Sequence, residues 1–448
     1  MIKLQVSEFG PIVEGTVDLR PLTIFVGPNN SGKSYVAVLA YALFRSLPPM
    51  YAFSARLPLR RLGGFRFSHQ RYLPGLEDTS LEQLLDDKEV LKSLQEQLKQ
   101  AASRSESGEI SILFKDLPDK VKQVLEKALQ SSLNECAIAF ADELKRCYSS
   151  DILELTRKAS KRGFSISISQ ENPPLQLNMS YADDSLKTVK SHFDVSNQYV
   201  NLRVPPPTLL RRTLTERDRF VLYELVEHFQ VEAYREFLVD TYYLPAARSG
   251  ILQSHKALAS YMVSLSPLAG IERLPKIPRL QGVVADFISE VLRLEKDRRT
   301  KLYNVAEFLE SQVTKGAIDI EAGKLEYPEI YYKPASGNFP LHRTSSMVSE
   351  LAPLVLFLKY LIAPGDFLII EEPESHLHPE SQRKLVAGIV KLIRAGVRVL
   401  ITTHSDDFIQ QLSNFIKLSR IPEEQRVKRG YSAKDYLNSE EIGAYLFD

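Results

Sequence analysis

The stretch GPNNSGKS, residues 27–34, decides the fold of this chain. It matches the pattern G-x-x-x-x-G-K-[ST], in which glycines let backbone N–H groups converge on phosphate oxygens. The continuous apolar run Leu22–Val26 precedes it. The residues after it are apolar at helical spacing, namely Val36, Leu39, Ala40, Leu43 and Phe44. Strand, loop and helix predict the first unit of an α/β fold, with the helix dipole directed at the loop.

The loop is expected to bind the phosphates of ATP with all of its residues: Gly27, Pro28, Asn29, Asn30, Ser31, Gly32, Lys33 and Ser34. Lys33 is expected to bridge the β- and γ-phosphates and to assist catalysis, while the Ser34 hydroxyl binds Mg²⁺. The alternative is a chance glycine-rich turn. The position between a buried strand and an amphipathic helix favours the phosphate-binding interpretation.

A second apolar strand, Phe367–Ile370, runs directly into two acids, Glu371 and Glu372. Because adjacent carboxylates do not suit a buried strand, we expect them at its carboxyl end, where α/β proteins bind ligands. Glu371 is predicted to support Mg²⁺ and Glu372 to orient the attacking water. A solvated strand end or a helix N-cap is the alternative interpretation.

His404 follows the apolar strand Val397–Ile401 and is predicted to sense the γ-phosphate. A lone histidine is often only a satisfied polar group, so this assignment depends on its position. His376 and His378 stand two residues apart beside the acids. Their spacing permits a zinc site only in an extended segment, and no further ligand cluster accompanies them. We favour a loop that packs against a second subunit.

Composition describes an ordinary globular protein. The 448 residues carry a formal net charge of +1, so nothing global requires a polyanionic partner. Cys136 and Cys147 have no metal-binding spacing and fit a reducing compartment. The first residues lack a signal-peptide pattern, and no apolar run is long enough to span a bilayer. The expectation is a cytoplasmic protein without a membrane partner.

Two α/β parts bracket a long insertion. We predict an α/β fold with a mixed sheet flanked by helices and a large, mostly helical insertion. Phe164–Ile168 and Leu175–Met179 alternate apolar and polar residues, which predicts an antiparallel hairpin. The expected segments are an N-terminal ATPase part (1–47), a mainly helical insertion (48–160), antiparallel strands and a helix completing the first lobe (161–250), a helical segment (251–315), and the second ATPase lobe (316–448).

Three segments together resemble the P-loop, ABC-type ATPase heads of the RecF, SMC and OLD (overcoming lysogenization defect) group. They are GPNNSGKS, FLIIEEPESHLHPESQ and ITTHSDDF, and the phrase YYLPAARSG at 242–250 is similar to that group as well. The likeness is specific over about 1–47 and 316–420 and is nearest to the OLD-like, stand-alone bacterial and archaeal ATPases. It implies a two-lobed fold and a head-to-tail homodimer, or a higher even oligomer, that encloses two ATP molecules.

The resemblance also implies a signature serine that contacts the nucleotide of the partner subunit. The matching residues are Ser345 and Ser346, which equally suit a plain N-cap. Met347 stands where the family has glycine, which weakens the expectation of close phosphate contact. The resemblance implies a glutamine that contacts Mg²⁺, and Gln70 is the candidate for it. Arg248 could contact nucleotide or stabilise the lobe, and the sequence does not decide between them.

The basic residues Arg56, Arg60, Arg61, Arg66 and Arg71 are interleaved with Phe65 and Phe67 and permit nucleic-acid binding. A solvated face or a protein-docking loop is the alternative.

The leading hypothesis is an ATP-driven dimerisation switch that acts on a separate nuclease or toxin in defence against phage. OLD proteins proper carry a Toprim nuclease domain after the ATPase; with 44 residues after His404 in this sequence, we expect any nuclease to be a separate subunit. A RecF-like DNA-repair ATPase and a slowly hydrolysing scaffold are the rival hypotheses.

Overall fold

The computed structural model describes residues 1–47, 89–90, 92–94, 96–97, 109–158, 160, 163–172, 174–182, 185–193, 199–203, 225, 229, 231–254, 280–296, 298–322 and 328–448. Its strands, numbered along the chain, are β1 (Ile2–Phe9), β2 (Ile12–Leu19), β3 (Leu22–Val26), β4 (Glu109–Leu113), β5 (Phe164–Glu171), β6 (Pro174–Ala182), β7 (Ser185–Phe193), β8 (Tyr199–Arg203), β9 (Thr241–Leu244), β10 (Gly316–Ala322), β11 (Pro328–Pro334), β12 (Phe339–Pro340), β13 (Phe367–Glu371), β14 (Arg398–Thr403) and β15 (Ile442–Leu446). Its helices are α1 (Lys33–Ser46), α2 (Asp119–Tyr148), α3 (Gly282–Leu292), α4 (Tyr303–Leu309), α5 (Ser346–Tyr360), α6 (Pro379–Arg394), α7 (Asp406–Ser419) and α8 (Glu423–Lys428).

A five-stranded parallel sheet in the order β15-β3-β14-β13-β9 carries the two motif strands near its centre. Phe367 and Ile369 of β13 enter one hydrophobic core, and Leu368 and Ile370 enter a second one on the other face. Because both faces are covered, the motif strands are continuous apolar runs rather than alternating ones.

Helices cover both faces of this sheet. The apolar face of α1 belongs to the first core, whereas α5 and α6 belong to the second. Helix α7 begins at a capped end, where the Ser405 hydroxyl accepts the N–H of Phe408 at 3.2 Å. The acids Asp406 and Asp407 in its first turn suit the positive end of the helix dipole.

A second five-stranded sheet, in the order β2-β1-β5-β6-β7, is antiparallel throughout. The predicted hairpin is confirmed as β5 and β6, which join β1 and β2 in one sheet. The edge strand β7 was not predicted. In the sequence SLKTVKSHF, Leu186 and Val189 pack partly against the core but are three residues apart, so the apolar alternation that marks a strand is weak.

The prediction of a mainly helical insertion over 48–160 has a divided outcome. Helix α2 agrees with it, but β4 does not, because Glu109–Leu113 pairs antiparallel with β8. Such pairing depends on a distant strand and is not visible in local periodicity. Residues 48–88 of this insertion and 255–279 of the predicted helical segment 251–315 lie outside the described residues.

The predicted α/β class, with helices flanking the sheets, is confirmed. Parallel and antiparallel strands are both present, in separate sheets. Strand β15, which pairs with β3, is a further addition to the predicted elements. None of the helices in the described ranges is long and apolar enough to cross a membrane.

Replacing Leu400 by alanine should destabilise the protein strongly. Leu400 is fully buried on the central strand β14, and truncating such a leucine removes apolar contacts and leaves a cavity, at a cost of about 2–5 kcal/mol. The matched control is Leu153→Ala, since Leu153 is 57% exposed. Denaturant unfolding should show a large fall in the midpoint for the first variant only. Equal midpoints would contradict the central position of β14.

Candidate nucleotide site

The phosphate loop joins β3 to α1 in a conformation that requires glycine at two positions. Gly27 has φ 153° and Gly32 has φ 100°. A Cβ atom on Gly27 would lie 2.1 Å from the carbonyl oxygen of Phe447, and one on Gly32 would lie 2.6 Å from Ile12 Cδ1. The surrounding atoms leave no room for a side chain at either position. Glycine therefore allows the tight loop conformation that presents backbone N–H groups to phosphate.

Lys33 is buried and turns back onto the loop that precedes it. Its Nζ donates to the carbonyl oxygens of Gly27 at 2.8 Å and Pro28 at 2.6 Å. The Ser31 hydroxyl donates to the same Pro28 oxygen at 2.9 Å. The positive charge therefore lies inside the curve of the loop, where phosphate oxygens would replace the carbonyls as its partners.

The outward-facing residues of the loop are exposed. They are Pro28, Asn29, Asn30 and Ser34. Asn30 adopts a left-handed conformation with φ 64°, which asparagine tolerates better than most residues.

Glu371 and Glu372 lie at the carboxyl edge of the parallel sheet, as their position after an apolar strand predicts. In the register of the sheet Glu371 stands beside Thr402, and Thr403 stands beside Val26, the last residue before the loop. Glu371 is buried, and its Oε2 accepts the N–H of Ala246 at 3.2 Å. Burial, followed by the charge of Glu371, raises the pKa of Tyr243 well above its usual value.

Glu372 leaves the strand in a left-handed conformation with φ 41°. Its N–H donates to the carbonyl oxygen of Thr402 at 2.9 Å, and its carboxylate accepts the hydroxyl of Ser375 at 3.2 Å. The Glu372 side chain is 29% exposed, so its carboxylate can reach a water molecule. This turn directs Glu372 out of the sheet, toward the side where His404 lies.

His404 lies beside two carboxylates at the end of β14. Its Nδ1 is 3.7 Å from Glu372 Oε1 and 3.9 Å from Glu374 Oε1, and its side chain is 48% exposed. Glu374 is buried, and its Oε1 accepts hydrogen bonds from the Thr403 hydroxyl and from the His404 N–H. Glu374 therefore fixes the backbone that carries His404.

Sequence reasoning assigned no role to Glu374. The available signal was an acid directly after the Glu-Glu-Pro run, at a position that the fold buries. A buried acid needs hydrogen-bond partners, and here β14 supplies them.

Ser345 and Ser346 begin α5 and are both exposed. The Ser345 hydroxyl accepts the N–H of Val348 at 3.4 Å, so the N-cap interpretation holds for this residue. Met347 packs partly against the second core. The two serines lie at the start of α5, whereas the phosphate loop joins β3 to α1. Their contact with a nucleotide bound by the partner subunit stays a prediction.

The structure decides the open question about Arg248. This side chain is buried and ion-paired, with its Nε 3.2 Å from Glu350 Oε2. Its Nη1 donates to the carbonyl oxygen of Glu371 at 2.7 Å. Arg248 thus stabilises the lobe directly behind the acid pair.

The two histidines after the acid pair have separate positions. His378 caps α6, with Nδ1 accepting the N–H of Glu380 at 3.4 Å, and His376 has a left-handed φ of 62°. Packing of this loop against a second subunit stays a prediction. Gln70 and the basic residues 56–71 lie outside the described residues.

The residues at the loop and the acid pair suit Mg²⁺. Ser34 and Glu371 offer a hydroxyl and a carboxylate, the hard oxygen ligands that this ion prefers. Across the described ranges there is no group of three or more His, Cys, Asp and Glu that could hold a metal. Mg²⁺ bound to nucleotide phosphates needs only one or two protein ligands, and Ser34 and Glu371 would supply them.

Gly27→Ala should abolish nucleotide binding. The added Cβ overlaps the Phe447 carbonyl, and alanine disfavours φ 153°, so the loop must shift. Gly365→Ala is the matched control, because Gly365 also has positive φ, at 98°, but has open space around its Cα. Calorimetric titration with ATP should show at least tenfold weaker binding for Gly27→Ala and little change for the control. Wild-type affinity in Gly27→Ala would show that the close approach is unnecessary.

A family model described as an AAA ATPase domain matches residues 1–409. A search of curated proteins found no match.

Among solved structures, an Smc head bound to the C-winged helix domain of ScpA is 12% identical, with a TM-score of 0.39 over 91% of each chain. The Smc head of Pyrococcus furiosus is 13% identical (TM-score 0.36, 92% of each chain). The SMC head of Thermotoga maritima is 9% identical (TM-score 0.33, 91% of this chain and 90% of that chain). These low TM-scores add no argument of their own. The match over residues 1–409 shows that the chain belongs to the AAA ATPase domain family and hydrolyses ATP.

Proposed function

We propose that the protein is an OLD-like, ABC-type ATPase that ATP closes into a homodimer and hydrolysis reopens. One observation carries the proposal: the phosphate loop, the Glu371–Glu372 pair and His404 stand at adjacent strand ends along one edge of a parallel sheet. Ligands of α/β proteins bind at this edge.

Each residue has a role that follows from its chemistry. The loop amides and Lys33 neutralise the phosphates, since phosphoryl transfer depends on positioning and electrostatics. Ser34 and Glu371 would hold Mg²⁺, which, when bound, stabilises the charge that develops on the phosphate oxygens. Glu372 orients the attacking water. His404, within 4 Å of the Glu372 carboxylate, contacts the γ-phosphate and reports its presence.

Dimerisation gives the exposed start of α5 a function. Ser345 and Ser346 would face the nucleotide held by the partner subunit, as in the family that the sequence resembles. Met347 in place of glycine limits close backbone approach to phosphate, so we expect ATP to drive dimerisation less strongly than in that family.

We propose a separate nuclease or toxin as the effector, in defence against phage. This partner assignment depends on the OLD resemblance of the sequence motifs. A RecF-like DNA-repair ATPase is the alternative, for which the Arg56–Arg71 cluster would supply phosphate contacts. DNA-stimulated turnover, with binding that weakens steeply as salt increases, would favour the alternative.

Two substitutions separate binding from hydrolysis. Lys33→Ala should lose ATP binding, because the charge inside the loop is removed. Glu372→Gln should bind ATP, hydrolyse it about 100-fold or more slowly, and accumulate a dimer, since the water is no longer oriented. Turnover assays and sizing chromatography measure these effects. The exposed residues Lys417 and Glu424 provide the matched controls Lys417→Ala and Glu424→Gln. Normal turnover by Glu372→Gln would exclude its water-positioning role.

A negative charge at the start of α5 should block the dimer without affecting the monomer. In the Glu372→Gln background, Ser346→Glu should bind ATP normally but stay monomeric, because its carboxylate would repel the phosphates held by the partner, whereas an acid suits the first turn of a helix. The control Ser439→Glu alters another exposed serine and should leave the dimer intact. A dimer of unchanged stability in Ser346→Glu would place the interface elsewhere.

A further inference from the structure

Arg248 makes a set of contacts that extends beyond simple lobe stabilisation. Its guanidinium is 1% exposed and donates to main-chain oxygens on two sides. The Nη1 atom donates to Pro245 O at 3.1 Å and to Glu371 O at 2.7 Å, and Nη2 donates to Glu372 O at 3.4 Å. One buried side chain thus holds the consecutive carbonyl groups of both acids.

These carbonyls belong to a strained turn. Glu372 has φ 41°, a left-handed conformation that is unfavourable for a residue with a Cβ atom. Its N–H is held by Thr402 on one side, and its carbonyl is held by Arg248 on the other. Strained conformations persist only where the surroundings over-determine them. The direction of the Glu372 carboxylate therefore depends on Arg248.

Glu350 fixes Arg248 in turn. The Nε atom of Arg248 donates to Glu350 O at 3.1 Å and lies 3.2 Å from Glu350 Oε2. The other carboxylate oxygen, Oε1, accepts the N–H of Ser249 at 3.2 Å and its hydroxyl at 2.6 Å. Glu350 is in α5, four residues after Ser346. The Arg248–Glu350 ion pair therefore also connects the start of α5 to the Glu371–Glu372 turn.

Stability alone does not account for this arrangement. Burial lowers the pKa of Arg248, and the charges of Glu350 and Glu371 oppose that shift. A buried ion pair is often no more stabilising than apolar residues of the same volume. Apolar residues, however, cannot donate to two successive carbonyl groups. The contacts that require arginine are the hydrogen bonds to the carbonyl oxygens of Glu371 and Glu372.

We propose that Arg248 is a positioning residue for ATP hydrolysis, which holds the Glu371–Glu372 turn so that Glu372 points at the attacking water, and that Glu350 orients Arg248. This proposal rests on the water-positioning role proposed for Glu372. Because Arg248 is buried and acts on Glu372 through main-chain carbonyl groups, its loss should lower kcat and leave the affinity for ATP largely unchanged.

The first test uses Arg248→Lys, which keeps the charge beside Glu350 but loses the planar fork that reaches both carbonyls. We expect a folded protein with kcat at least about tenfold lower and a Kd for ATP within about threefold of wild type, since small misplacements of catalytic groups cost rate. The matched control is Arg426→Lys. Arg426 is also buried and donates to three carbonyl groups, those of Leu418, Ile421 and Ala433, far along the chain from the acids. Loss of kcat in the control, or normal kcat in Arg248→Lys, would overturn the proposal.

A second test separates positioning from stability. Arg248→Met leaves Glu350 buried without its partner and should lower the melting temperature, whereas Arg248→Met/Glu350→Met removes both charges and should restore it. Under our proposal kcat stays low in the double variant. Recovery of kcat together with the melting temperature would show that the pair is only structural.

A third test distinguishes this proposal from the proposed function. If Arg248 acts through Glu372, Arg248→Lys should lower turnover no further in the Glu372→Gln background. Additive losses would show that Arg248 does not act through Glu372. Normal turnover by Glu372→Gln alone would instead remove the role of Glu372 itself.

Discussion

The parallel register of three strands is the constraint on which the site depends. Strand β14 pairs with β3 on one side and with β13 on the other, so the ends of all three strands meet at one edge of the sheet. Parallel strands have the same polarity, and whatever follows each of them in the chain must therefore leave the sheet on the same side. The loop, the acids and His404 are neighbours for this reason, although most of the chain separates the first from the others.

Buried polar side chains hold the strand ends that form the site in place. Glu374 joins the turn after β13 to the end of β14, and Arg248 joins that turn to α5 through Glu350. Each of these charges is costly to bury unless its hydrogen bonds are made, so each constrains the elements that supply the partners. The outward-facing groups, such as the carboxylate of Glu372, keep partial exposure and so can meet substrate and water.

Strand β15 lies beside the phosphate loop at the carboxyl edge of the parallel sheet. Strand β15 pairs with β3, and the Phe447 N–H donates to the Val26 carbonyl oxygen at 2.7 Å. The Phe447 carbonyl then approaches Gly27 so closely that a side chain there is excluded. The need for glycine at this position thus comes from the packing of distant residues as well as from the phosphate.

Local sequence determined the elements with strong and uniform signals. The phosphate loop, the apolar strand before the acids and the helices with one buried face were predictable, because motif spacing and hydrophobic periodicity are properties of short segments. The position of Glu371 and Glu372 at a strand end also followed, since a buried strand excludes adjacent charges. Only the tertiary structure decided what Arg248 and Glu374 do, and that β4, β7 and β15 are strands. The partners of Arg248, Glu374, β4 and β15 lie far away in the chain, and a contact between distant residues leaves no periodic trace in either segment. Strand β7 pairs with its neighbour β6, and it was not predictable because its apolar alternation is weak.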